Sequence, residues 1–475
     1  MQKGLNIYNV KIFKEFLLLK QHFYNDISIL CRFYFILYNS TILFTALYLY
    51  FFILCVILII VHFKGHFMAT ILHCDANNFY ASVEMMLNPS LKDKPVAVCG
   101  NPEKRHGIVL AKSELAKRAG VKTGEPLWQA KQKCPNLIFV APHFDEYVAI
   151  SNKLFDMYSE YTDKVEPFGI DECWLDCTSS INLFGSGEKI ANELRERVKR
   201  ELGITISVGV SFTKIFAKIG SDYKKPDAVT VIDENNYKQI IWSLPVSDLL
   251  MVGRKTAKLF KQLSINTIGD LAKYDKETLQ QYIGINGKKL HDYANGIETE
   301  EIKFADQKHI PESVGNSTTT PFDITNASEA QAILTSLSEM VAVRLRKYKL
   351  LANGIGVSIR YCSLEGTHKN KMLDFSTCNA QDISEQAFAI FQEIHNFKKN
   401  PPIRQLGVYT YKLTAGKNRQ TSMFDITHDK RENLDKSIDK IRAKYGQTAV
   451  KTGIVAKHQE ICDGLVDKEF QPFKK

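Results

Sequence analysis

The sequence predicts an α+β protein of several domains, and three observations carry that expectation. Its 475 residues are too many for one core and point to about three domains. Short apolar strands mingle with amphipathic helices from residue 68 to residue 232, as in α+β layering. Between residues 313 and 411 the expected elements run β-α-β-β-α-β, the split-βαβ plan.

In chain order, an apolar strand over residues 69–74 ends at Asp75. Asn77-Asn78 lead into a short helix over 79–87, and Asn88-Pro89-Ser90 and Lys94-Pro95 punctuate the chain after it. Residues 96–99 and 107–110 read as strands. A helical run over 112–119 is closed by Gly120, a C-terminal glycine. Gly124-Glu125-Pro126 breaks the chain, and helix resumes over 127–133. Residues 144–161 carry Val148, Leu154, Phe155 and Tyr158 at helical spacing. A basic amphipathic helix at 188–202, a strand at 205–210, a helix at 214–221 and a strand at 229–232 complete this region.

From residue 233 to 296 the pattern is short helices without good strands. Met251-Val252-Gly253-Arg254, followed by Ala257, Leu259 and Phe260, resembles the turn of a helix–hairpin–helix unit. Such turns bind DNA phosphates through backbone N–H groups and helix N-termini. Met251 stands where the turn usually has its first glycine, and a plain helical bundle is the alternative. Residues 300–312 are charged and aperiodic, as a linker would be. Strands at 313–321, 355–361, 372–376 and 404–411, with helices at 329–345 and 383–396, form the split-βαβ unit. Beyond residue 414 the chain is polar, with one amphipathic helix whose apolar stripe is Leu434, Ile438, Ile441 and Tyr445.

Residues 1–67 have a different character. No charged residue falls between Phe33 and Phe63, a stretch long enough to span a bilayer. A membrane anchor through residues 33–63 is one reading. The other is that translation begins at Met68 and the Phe-, Tyr-, Ile-, Asn- and Lys-rich stretch before it is upstream sequence. The net charge of +10 is shared with this segment, which holds six of 62 basic and two of 52 acidic residues, leaving +6 for the rest. That excess permits a polyanionic partner without demanding one. The ten cysteines are scattered, without a zinc-binding spacing, and read as reduced thiols of a cytoplasmic protein.

The chemistry concentrates in Gly169-Ile170-Asp171-Glu172-Cys173-Trp174-Leu175-Asp176. Two adjacent acids between apolar runs suit a hairpin that presents carboxylates at a sheet end, where Asp75 also lies. Three carboxylates in one place repel unless a cation sits among them. Hard oxygen ligands suit Mg²⁺, and two such ions can clamp the attacking and leaving oxygens of a phosphoryl transfer. The plain alternative is that Asp171 and Glu172 merely solvate a turn.

The segment from Asp75 to Glu84 and the acidic hairpin stand in order with Val208-Gly209-Val210-Ser211 and Lys214-Ile215-Phe216-Ala217-Lys218. Together they resemble the Y-family, or translesion, DNA polymerases of the bacterial polymerase IV and V type, from residue 68 to about residue 424. The resemblance implies a right-hand polymerase. Its palm would be residues 68–86 and 145–232, its fingers 87–144, its helical thumb 233–300, its linker 301–312, its little finger 313–414 and its tail 415–475. It implies Asp75, Asp171, Glu172 and the Ala76 backbone carbonyl as ligands of two Mg²⁺ ions, and primer-template DNA and deoxynucleoside triphosphates as substrates. Tyr80 matches the family's steric gate against a ribose 2′-hydroxyl, with Phe79 beside it at the nucleotide. Lys225 matches a triphosphate-binding lysine. Where many members carry Tyr and Arg for the triphosphate, this chain has Glu114 and Lys117, and Ser113 could donate a hydrogen bond. Asn77 replaces the second acid of the first motif, as in polymerase V-like members.

Gln420-Thr421-Ser422-Met423-Phe424-Asp425 resembles the short motif by which bacterial polymerases dock on the sliding clamp. Gln420, Ser422, Met423 and Phe424 would make the contact. A monomer working at the nucleoid is expected, with membrane association only if residues 1–67 are expressed. A catalytically inactive DNA-binding accessory and a palm-type nucleotidyl cyclase are the competing readings. The intact acid set opposes the first, and the thumb-like and fourth segments oppose the second.

Overall fold

The computed structural model describes residues 69–100, 107–307, 310–416, 426–446 and 448–462. At its centre a five-stranded sheet runs in the order β5-β6-β1-β7-β8. These are β1 (Ile71–Ala76), β5 (Val165–Pro167), β6 (Glu172–Asp176), β7 (Ile206–Ser211) and β8 (Val229–Val231). Strand β1 lies between two antiparallel neighbours, with Asp75 opposite Glu172 on one side and opposite Ser207 on the other.

Alternation of side chains sorts the sheet into two faces. Leu72, Cys74, Cys173, Leu175, Ile206 and Val208 join one apolar cluster with the helices Phe144–Ser159 and Gly187–Leu202. His73, Asp75, Glu172 and Gly209 belong to the other face, over which the helix Lys214–Tyr223 packs. The fit there is close because no side chain separates the backbones. A Cβ on Gly209 would lie 1.9 Å from the Ala217 carbonyl oxygen, and one on Gly220 would lie 3.0 Å from the Gly209 Cα.

Among the described residues three further apolar clusters accompany this one. The first is built on the sheet β3-β2-β4: β2 (Val96–Cys99), β3 (Val109–Lys112) and β4 (Ile138–Val140). Ala97, Val109, Ala116, Leu127 and Leu137 fill it. The second gathers short helices from Tyr237–Ile241 to Ile285–Ala294 around Phe260, Ile268, Leu271 and Leu279. Here Met251 adopts φ of 72°, the left-handed conformation that the missing glycine of the turn would favour.

The third cluster underlies an antiparallel sheet of order β11-β10-β12-β9. Its strands are β9 (Ser313–Ile324), β10 (Leu350–Tyr361), β11 (Gly366–Thr377) and β12 (Ile403–Ala415), with helices Ala327–Tyr348 and Ala380–Ile394. The strands are longer than the sequence pattern indicates. Strand β11 is an exposed edge with His368, Lys369 and Lys371 close together, so its alternation is hidden and pairing with β10 defines it.

The helix Ile426–Tyr445 departs from its apolar pattern. Its charged face packs: Arg346 reaches Asp435 at 2.9 Å and Asp439 at 2.7 Å, and Arg442 reaches Glu339 at 2.7 Å. Leu434, Ile441 and Tyr445 are left exposed. Val455, Ile461 and Cys462 then join the apolar cluster of the split-βαβ unit. Among the described residues every cysteine is a free thiol, and no helix is long and apolar enough to cross a membrane. Residues 1–67, with the expected anchor, lie outside the described residues, as does the 420–425 motif.

Candidate active site

Asp75 lies at the end of β1, and the turn before β6 brings Asp171 beside it. The Ala76 N–H donates to the Asp171 carbonyl oxygen at 3.0 Å, and the Phe168 N–H to the Glu172 carbonyl oxygen at 2.9 Å, which fixes the hairpin. Ser151 on the helix behind donates to the Ile170 carbonyl oxygen. Asp75, Asp171 and Glu172 thus meet at one sheet end.

Their charges act on one another. Burial, with Asp75 and Glu172 close by, pushes the Asp171 carboxyl up to about 7. Burial also raises Asp75, against the pull of Lys225 and Lys218. Burial opposes ionisation of Glu172, yet His73 and Lys218 draw its carboxyl down to about 2. His73, fully buried beneath, is lowered to about 4 by that burial and stays neutral.

Two lysines answer this negative charge. Lys218 Nζ lies 3.2 Å from Asp75 Oδ2 and 2.8 Å from Glu172 Oε2. Lys225 Nζ lies 2.6 Å from the same Asp75 oxygen. Asp222 bridges the pair, 3.4 Å from Lys218 and 2.7 Å from Lys225. Sequence reasoning identifies Lys225 and misses the roles of Lys218, Asp222 and His73. The lysine–acid–lysine spacing, with steps of four and three residues, is the available signal. His73 gives none, because a lone histidine in an apolar strand has no pattern. It is held through a 2.8 Å hydrogen bond between Nδ1 and Ser221 Oγ, with Nε2 3.6 Å from Glu172.

Asn77 has a definite task. Its side-chain N–H donates to Ser207 Oγ at 2.9 Å, while its oxygen accepts from Thr205 Oγ1 at 3.0 Å and the Asp227 N–H at 2.8 Å. A carboxylate could only accept here, so the Ser207 hydroxyl would have to donate instead. The amide therefore staples the loop that carries Lys225 to the ends of β1 and β7.

The remaining predicted residues divide. Tyr80 is half-buried, and its ring stacks on Tyr147 with centroids 4.3 Å apart. Phe79 is a core aromatic, 3 % exposed. Ser113 is corrected: its buried hydroxyl caps a helix by accepting from the Ala116 N–H at 3.4 Å, and it also accepts from the Val96 N–H at 2.9 Å and donates to the Lys94 carbonyl oxygen at 3.3 Å. That hydroxyl is committed to the fold and not to a nucleotide. Lys117 is exposed and loosely paired with Glu114, which leans 3.6 Å from Arg118 along its own helix.

Hard carboxylate oxygens at one sheet end, with mutual electrostatic strain, fit a divalent cation in their chemistry. As the side chains stand, no three acidic, histidine or cysteine groups among the described residues are gathered closely enough to chelate one. Both lysine ammoniums pair with the same Asp75 oxygen, Oδ2.

Comparison with known proteins defines the class. The solved structure of a Y-family DNA polymerase chimera, Dbh-Dpo4(243-245)-Dbh, matches with a TM-score of 0.66, covering 73% of this chain and 99% of that one at 24% identity. The fold is therefore that of a Y-family polymerase. Residues 74–222 match the impB/mucB/samB family and residues 311–423 its C-terminal domain. DNA polymerase IV of Acetivibrio thermocellus is 47% identical over 388 residues, 81% of this chain and 97% of the relative. DNA polymerase IV of Bacillus velezensis is 36% identical over 393 residues, 82% of this chain and 94% of the relative. The chain belongs to the impB/mucB/samB family of Y-family DNA polymerases. It is a DNA-directed DNA polymerase of translesion synthesis, a class that depends on divalent metal.

Proposed function

We propose that this polymerase joins deoxynucleoside triphosphates to a primer 3′-hydroxyl at the sheet end formed by Asp75, Asp171 and Glu172. The observation that carries the reading is the convergence of these acids with Lys218 and Lys225. Asp75, Asp171, Glu172 and the Ala76 carbonyl would hold two Mg²⁺ ions. Bound there, such ions supply charge neutralisation at the phosphoryl group and the attacking oxygen. Lys225 offers a compact positive charge to the triphosphate, and Asp222 holds its ammonium in place. Lys117 adds charge from the surface without the bidentate fork of an arginine. Tyr80 serves as the gate under the sugar, where a ribose 2′-hydroxyl would collide with its ring.

In this reading residues 68–86 and 145–232 are the palm, 87–144 the fingers, 233–300 the thumb, 301–312 the linker and 313–414 the little finger. The uncapped N-terminus of the helix Arg254–Gln262 offers backbone N–H groups to a DNA phosphate. The enzyme works as a monomer, at the nucleoid where its template lies. Primer extension opposite an abasic template tests the whole reading. We expect incorporation with Mg²⁺ and none after chelation; incorporation that survives chelation excludes the metal role.

The sliding clamp is the proposed partner, held by Gln420, Ser422, Met423 and Phe424, with Met423 and Phe424 as apolar anchors. Deleting residues 420–425 is expected to leave clamp-free synthesis unchanged and to abolish stimulation by the clamp. Stimulation of equal size in the deleted enzyme excludes the motif.

A further inference from the structure

A steric gate rejects a ribose only as strongly as its ring resists being pushed aside. Tyr80 sits in the first turn of the helix Phe79–Leu87, where a ring without support could turn about χ1 and make room for the hydroxyl. Here the ring is supported. Tyr147, from the helix Phe144–Ser159, lies against it nearly parallel, at an interplanar angle of 14°. Phe144 meets Tyr80 edge-on at 5.9 Å and Tyr147 edge-on at 5.6 Å.

The support is itself anchored by a carboxylate that catalysis does not use. Glu84 stands four residues after Tyr80, on the same face of its helix. It is 2 % exposed. Its carboxylate accepts from the Tyr147 hydroxyl, and from the His143 backbone N–H at 3.2 Å. His143 Nδ1 lies 3.0 Å from both carboxylate oxygens. A buried carboxylate needs such partners to offset its desolvation. Burial and the nearby Glu84 charge hold the Tyr147 phenol above its usual range, so it remains a donor. One helix thus supplies both the gate and the anchor, and the other supplies the plate between them.

We propose that Tyr147 and Glu84 are positioning residues that set sugar discrimination by fixing the Tyr80 ring. Tyr147 stacks on the gate, and Glu84 fixes Tyr147 through its hydroxyl. This rests on the gate reading of Tyr80. Both residues act through the Tyr80 ring, so their removal should relax selectivity more than it slows deoxynucleotide addition.

The test is the ratio of kcat/KM for a ribonucleoside triphosphate to that for the matching deoxynucleotide, measured by single-nucleotide primer extension. Tyr80→Ala is the control and should raise the ratio on the order of a hundredfold. Tyr147→Leu, which removes the stack, should raise it about tenfold, with a smaller change in deoxynucleotide kcat/KM. Tyr147→Phe, which keeps the stack and loses the anchor, should fall between that variant and wild type. Glu84→Gln keeps an acceptor for the phenol and should stay near wild type. If Tyr80→Ala leaves the ratio unchanged, the gate reading falls and this inference with it. If Tyr80→Ala raises the ratio and both Tyr147 variants leave it unchanged, only the inference is overturned. Should Tyr147→Leu fail to fold, Tyr147→Phe decides in the same way.

Discussion

Asp171→Asn and Asp171→Ala are expected to abolish nucleotide incorporation, and Asp171→Asn to make the metal-free protein more stable at pH 8. The first half follows from the proposed metal role. The second follows from the local electrostatics. In the folded chain the Asp171 carboxyl stays protonated until about pH 7, because burial and its acidic neighbours disfavour the charge. In the unfolded chain it ionises near pH 4. The folded state therefore binds a proton that the unfolded state has lost. That contribution is fully present below about pH 4 and fades as the pH rises through 7. At pH 8 the ionised carboxylate costs folding on the order of 2–4 kcal/mol, which an amide of the same shape avoids. Urea unfolding with a chelator present, at pH 8 and at pH 4, provides the measurement. A gain at pH 8 that is absent at pH 4 is expected. Equal stabilities at pH 8, or retained incorporation, would refute the corresponding half.

Gly209→Ala should be a severely damaging conservative change in the central sheet. The added methyl would lie 1.9 Å from the Ala217 carbonyl oxygen and 2.5 Å from the Ser221 backbone nitrogen. Both belong to the helix Lys214–Tyr223, so a rotamer change cannot relieve the clash. The helix must lift off the sheet, at a cost of about 3 kcal/mol or more. Lys218 and Asp222 ride on that helix and would move away from Asp75 and Glu172. The expected outcome in denaturant is a lower midpoint, with incorporation by the folded fraction reduced at least tenfold. An alanine variant with wild-type stability would show that the helix is not held at this contact.

Legibility in the sequence varies from residue to residue. Asp75, Asp171 and Glu172 are readable because each borders an apolar run, and the register of β1 with β6 places Asp75 opposite Glu172. Ser113 is misread, because a hydroxyl near two charged residues looks the same whether it caps a helix or meets a ligand. Only the Val96 N–H, from a strand seventeen residues earlier, decides the matter. The stripe on the helix Ile426–Tyr445 misleads for the reverse reason. Periodicity shows which residues share a face, but not whether Arg346 and Glu339 wait to receive the opposite one. Lys218 closes a recognisable motif, yet its pairing with Asp75, 143 residues away in the chain, leaves no local trace.

The central strand has a consequence for synthesis on the ribosome. Strand β1 is made first of its sheet, but Cys74 pairs with Cys173 on one side and with Val208 on the other. At about 5–20 residues per second the second neighbour emerges on the order of ten seconds later. Until β6 emerges both hydrogen-bonding edges of an apolar strand lack their partners, and until β7 emerges one still does, a hazard for aggregation and a place where chaperones would act. The same delay means that no partial chain ending before the acidic hairpin can gather the three acids. A polymerase of translesion synthesis thus cannot acquire its activity before the acidic hairpin has been translated.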